Sequence, residues 1–122
     1  MPNVTFGPDD KSVFPTKYHG DVTLSKVKWD LICSAAERGY YPFNGEKVAT
    51  TLINPDIVRY HKKEANQFLY YKKFSNIIIA PGVSATPADG VYFAVIIDDS
   101  TKRICTVYPV PKPKEGKEFK PA

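Results

Sequence analysis

Val91-Tyr92-Phe93-Ala94-Val95-Ile96-Ile97-Asp98, then Asp99-Ser100-Thr101-Lys102, then Arg103-Ile104-Cys105-Thr106-Val107-Tyr108-Pro109-Val110, reads as two strands joined by a polar turn. The first arm is apolar on both sides: Val91, Phe93, Val95 and Ile97 alternate with Tyr92, Ala94 and Ile96. Successive strand side chains point to opposite faces, so such a strand belongs in the middle of a sheet covered on both sides. In the return arm, simple alternation assigns Ile104, Thr106 and Tyr108 to one face and Arg103, Cys105 and Val107 to the other. Helices are expected over one face. What lies over the other is the functional question.

Upstream, residues 67–74 alternate as well, with Phe68, Tyr70, Lys72 and Phe74 on one face and Leu69, Tyr71 and Lys73 on the other. A β-branched run over 76–80 predicts a further strand, and Pro81-Gly82 and residues 86–90 bound a turn-rich loop. Earlier still the period becomes helical. Leu24, Val27, Leu31 and Ala35 recur at helical spacing behind Thr23, a good N-cap, and Gly39 is a stop signal, predicting a helix over 24–38. A shorter helix is expected after Asn44, with Val48 and Leu52 one turn apart, ending before Asn54-Pro55-Asp56. Residues 57–60 read as a short extended piece. The resulting class is α+β, with N-terminal helices on one face of a C-terminal antiparallel sheet. Proline marks both ends, so residues 1–20 are expected as an extended arm, 21–110 as the single domain, and 111–122 as a solvated Pro/Lys-rich tail.

A chain of 122 residues, 43% hydrophobic with seven Phe and eight Tyr, can bury one core and is too apolar for disorder. No apolar run approaches the roughly 18 residues of a membrane span, and the N-terminus carries no evident signal peptide. The net charge of +4 suits a polyanion or an acidic protein. Cys33 and Cys105 are too few for a zinc framework and read as buried thiols, or as a disulfide in an oxidising compartment.

No metal-ligand cluster, phosphate-binding glycine loop or Ser-His-Asp motif is present in the sequence, and no cofactor is expected. RNA cleavage without a metal needs a group to take the 2′-hydroxyl proton, a group to protonate the leaving 5′-oxygen, and a cation or donor for the phosphorane. Histidine, lysine, arginine, tyrosine and threonine can divide these tasks. The histidines are His19 and His61, either of which can equally be structural. Thr106 and Tyr108 beside Tyr70-Tyr71-Lys72-Lys73 would form a polar, cationic platform, although Thr and Tyr are also ordinary strand residues. Arg59-Tyr60-His61-Lys62-Lys63 is a second basic patch suited to phosphates.

Four segments in order carry a resemblance: Lys28-Trp29-Asp30-Leu31-Ile32, Thr51-Leu52-Ile53-Asn54-Pro55-Asp56-Ile57, Phe68-Leu69-Tyr70-Tyr71-Lys72 and Ile104-Cys105-Thr106-Val107-Tyr108. Together they resemble the phage- and toxin-associated branch of the barnase, EndoU, colicin and RelE-like nuclease group, over residues 22 to 119. The resemblance implies a curved antiparallel sheet with helices on one face and a cleft on the other. It also implies metal-independent cleavage of tRNA or another structured RNA in the bacterial cytoplasm. Such domains are often the toxic tip of a larger secreted, cell-surface or phage-delivered protein, neutralised by an acidic immunity protein. The family's histidine two residues after the tryptophan is Leu31 here, and its Arg-His pair is Arg38-Gly39. Catalysis would therefore fall to His61, His19, Lys72 or Arg38 with Thr106 and Tyr108. RNA contacts would fall to Tyr70, Tyr71, Lys73, Arg59, Lys62 and Lys63. The alternative is a non-catalytic RNA- or protein-binding module on the same scaffold, such as a phage-encoded inhibitor.

Overall fold

A computed structural model describes residues 6–34, 45–80, 83–86, 88, 90–113 and 116–119. The hairpin forms as expected: β7 (Val91–Asp98) is antiparallel to β8 (Arg103–Val110) and, on its other side, to β4 (Gln67–Phe74). Asp98 closes the turn, its carboxylate accepting the backbone N–H of Ser100 at 2.9 Å and of Thr101 at 3.1 Å. Beyond β4 lies β3 (Ile57–Tyr60), antiparallel. Beyond β8 lies β2 (Asp21–Ser25), parallel, and then β1 (Lys11–Pro15), antiparallel to β2. The chain is thus α+β, with a six-stranded mixed sheet of order β1-β2-β8-β7-β4-β3. A separate ribbon pairs β5 (Ile77–Ala80) with β6 (Val83–Ala85).

The expected purely antiparallel sheet is corrected at β2, and so is the 24–38 helix. Helix α1 spans Lys26–Ser34, and residues 35–44, with Arg38 and the expected cap Asn44, lie outside the described residues. Val22 and Leu24 alternate into the core as strand residues, so the helical spacing of Leu24 with Val27 was coincidental. The N-cap is Ser25, whose hydroxyl accepts the Lys28 N–H at 3.1 Å, while Thr23 pairs with Arg103 in the sheet. Helix α1 consequently buries Trp29 and Ile32 and leaves Val27 and Leu31 70% and 65% exposed. Helix α2 (Glu46–Ile53) forms where expected, burying Val48 and Leu52 and ending at Asn54, but its N-cap is Gly45, which gives no side-chain cap, and not the expected Asn44.

Both helices pack on one face of the sheet, and each fully buried aliphatic or aromatic side chain there contributes roughly 1.5–3 kcal/mol. The core on that face joins Trp29, Ile32, Val48 and Leu52 to Val58, Phe68, Tyr70, Phe93, Val95, Ile97, Ile104 and Val107. Leu69, Tyr71, Ala94 and Ile96 form a smaller cluster on the second face, flanked by Ile57, Tyr92, Cys105, Tyr108 and Val110.

Segments expected outside the domain at either side pair with the sheet. Residues 11–15, expected within an extended arm, are edge strand β1, where Pro15 leaves no central ladder bond unmade. Residues 116–119, expected as solvated tail, return along the outer edge of β3. Tyr60 N–H donates to the Lys117 carbonyl at 2.8 Å and Phe119 N–H to the Val58 carbonyl at 2.7 Å, so that the Glu118 backbone stands opposite that of Arg59 in an antiparallel bridge. The Phe119 ring explains the return. It packs on Tyr18, His19, Tyr60 and Phe68 with centroid separations of 5.0–5.6 Å.

Candidate functional site

Strand register decides which side chains meet on the second face. One row crosses four strands as Arg59, Leu69, Ile96 and Thr106. The next row is Ile57, Tyr71, Ala94 and Tyr108. Simple alternation fails in β8, because Ile96 faces Thr106 while Ile97 faces Ile104, leaving Cys105 as an inserted residue. This bulge turns Ile104 into the helix-side core beside Val107, correcting the expectation that it shares a face with Thr106 and Tyr108. Thr106 and Tyr108 stay on the second face and are half-buried.

The middle of that face is filled, since Tyr71 and Ala94 have no exposed surface. Ala94 lies between Tyr71 and Tyr108, and the two phenols share a side-chain hydrogen bond. Burial pushes the Tyr108 hydroxyl above its usual range, and the Tyr71 bond offsets this in part. Tyr108 is therefore a neutral phenol at pH 7, fit to donate a proton in a hydrogen bond and ill suited to be a base.

Beside Tyr108 the face opens into a hollow of about 360 Å³ lined by Arg59, Tyr60, His61, Lys62, Lys63, Leu69, Ile96 and Tyr108. The floor is hydrocarbon, Leu69 and Ile96 being 7% and 8% exposed, and the rim is cationic. His61 follows directly on β3, and its Nδ1 accepts the backbone N–H groups of Lys63 and Glu64, each at 3.1 Å. A ring that accepts at Nδ1 carries its neutral-form proton on Nε2 and offers it as a donor. Work as a base requires the 61–64 turn to release Nδ1.

The remaining candidates lie elsewhere. His19 is 8% exposed on the helix side, stacked on Phe68 with centroids 4.1 Å apart, and its Nδ1 lies 2.5 Å from the Tyr70 hydroxyl. Burial lowers its pKa, the Asp99 charge opposing that shift. Tyr70, fully buried on that same side, and His19 thus serve the core and are not brought to the hollow. Lys72 also falls on the helix side, with its ammonium 3.9 Å from the Asp56 carboxylate. Lys73 is exposed on the second face opposite Tyr92, two residues beyond Tyr71. Arg38 lies outside the described residues. Leu69 and Ile96 were not anticipated as floor residues. Their signal was the apolarity of β7 on both sides, which by itself does not reveal which neighbours share the second face.

A second concavity of about 650 Å³ lies between α1 and the start of β8, lined by residues including Lys11, Val27, Lys28, Leu31, Arg103 and Cys105. Burial raises the thiol pKa of Cys105, and that of Cys33 to about 11, so neither is an activated nucleophile. Among the described residues no group of three or more His, Cys, Asp or Glu side chains could hold a metal ion, and no helix is long and apolar enough to cross a membrane. Comparison with family models, curated proteins and solved structures found no match to this chain, so its function is read from its own residues.

Proposed function

We propose that this chain is a metal-independent endoribonuclease domain acting on tRNA or another structured RNA, with the Arg59–His61–Tyr108 hollow as its site. The reading is carried by one observation: a guanidinium, an imidazole, a phenol and two lysines line the same hollow on the face that the helices leave free. Transfer of a phosphodiester needs those kinds of group and nothing redox-active. The 2′-oxygen attacks phosphorus as its proton leaves, the bond from phosphorus to the 5′-oxygen breaks, and that oxygen is protonated. The products are a 2′,3′-cyclic phosphate and a free 5′-hydroxyl. His61 is the proton carrier in this scheme, once the 61–64 turn frees Nδ1. Arg59 and the Tyr108 hydroxyl stabilise the phosphorane oxygens, while Thr106, across from Ile96, stands outside the lining of the hollow. Lys62 and Lys63 hold neighbouring phosphates. An acidic immunity protein would be the matching partner of a basic toxin domain.

The engagement of Nδ1 by two backbone donors favours a second reading, a module that binds RNA at the same hollow without cutting it. Incubating total RNA with the protein in EDTA separates the two. Cleavage to cyclic-phosphate ends that disappears in His61→Ala supports the nuclease. Intact RNA that remains bound, with no growth defect on expression in bacteria, supports the binding module and refutes the nuclease.

A further inference from the structure

A site that only gripped phosphates would need cations and donors, but this one also has a hydrocarbon floor. Leu69 and Ile96 are neighbours across β4 and β7, nearly buried, with Tyr108 on the adjoining row and Arg59 beside Leu69. The hollow, at about 360 Å³, lies within the range of small-molecule sites and is far larger than a phosphate needs. A flat apolar body attached to an anion matches both halves of the lining, and a nucleotide is such a molecule.

Resting on the RNA reading above, we propose that the hollow seats one unpaired nucleobase on Leu69 and Ile96 against the Tyr108 ring, while the adjoining phosphate meets Arg59 and Lys62. A base inside an A-form duplex enters a pocket only after unpairing and unstacking, at about a few kcal/mol, whereas those in loops and bulges can be splayed out at small cost. The substrate is therefore a looped or bulged segment, with the pocketed nucleotide at or next to the cut. Duplex RNA of the same length is disfavoured by that cost.

Titrating 3′-uridine monophosphate, 3′-adenosine monophosphate and ribose 5-phosphate into the isotopically labelled protein tests the seat without any substitution. The nucleotides are expected to bind about tenfold more tightly than ribose 5-phosphate, since stacking a base on a protein surface is worth about a factor of ten or more. Base protons should show nuclear Overhauser contacts to the Leu69 and Ile96 methyls. Equal binding of ribose 5-phosphate, with no such contacts, overturns the seat. A hairpin RNA carrying one abasic nucleotide in its loop gives the second arm, with an expected loss of about tenfold or more in cleavage at that position. Cleavage unaffected by the missing base removes the seat and leaves the nuclease reading standing. Nucleotides held at Leu69 and Ile96 by a protein that cuts no RNA keep the seat and remove the nuclease reading.

Discussion

The shared hydrogen bond of Tyr71 and Tyr108 ties the buried centre of the second face to its hollow, and its worth follows from exposure. Tyr108→Phe strands the Tyr71 hydroxyl, which has no exposed surface, at a cost of about 1–3 kcal/mol for an unsatisfied buried group. Tyr71→Phe leaves the Tyr108 hydroxyl half-buried and within reach of water, so about 1 kcal/mol is expected. The double variant strands neither hydroxyl and should cost no more than the dearer single change. A double-mutant cycle therefore predicts a coupling energy of about 1 kcal/mol or more. The single tryptophan, Trp29, is 3% exposed and reports urea unfolding by fluorescence. All four proteins should share one m-value, because no surface change is involved. Single-variant losses that simply add, to within about 0.5 kcal/mol, would refute the shared bond and the packing of Tyr108 over Ala94 that it implies.

Other outcomes follow from the same geometry. His19 is held neutral by burial, so the unfolded chain binds a proton that the folded chain refuses once pH falls below about 6.5. Stability should drop between pH 7 and pH 5, and His19→Phe should shrink that difference even if it lowers stability overall; an unchanged difference in urea midpoints contradicts the assignment. Phe119→Ala should cost about 2 kcal/mol, less than a fully buried phenylalanine because the ring is half-buried, while Glu118→Ala stays within about 0.5 kcal/mol. Equal urea midpoints for these two variants would mean that the returning C-terminal segment does not anchor the β3 edge. Lys62→Ala and Lys63→Ala should each lower the salt dependence of RNA binding by about one phosphate contact, and Lys72→Ala should leave it unchanged. A fall in slope for Lys72→Ala, with none for the other two, would move the phosphate track to the helix side.

Elements whose pattern is local were legible from sequence. Strands β7 and β4 and helix α2 each keep one period over a full element, and β8 keeps it except at the Cys105 bulge. Helix α1 was misframed because Leu24 serves strand β2 but happens to stand one helical turn from Val27 and two from Leu31. Strands β1 and β2 were missed for a different reason. β1 pairs only with its neighbour β2, β2 joins the sheet through the distant strand β8, and Pro15 on an edge looks the same in sequence as proline in a loop. At the site, the face of Thr106 and Tyr108 and the basic run from Arg59 to Lys63 were visible, but their meeting was not. It depends on β3, β4, β7 and β8 lying side by side, and on a bulge at Cys105 that no residue pattern announces.

The location of the RNA site is tested most directly by titrating a short looped RNA into labelled protein and mapping the shifted resonances. The Arg59, His61, Lys62, Lys63 and Tyr108 signals should move together and saturate at one ratio, while the Trp29 indole and the His19 ring stay in place. Strongest shifts at Val27, Leu31 and Arg103, with the hollow silent, would put RNA in the larger concavity beside α1 and contradict the account.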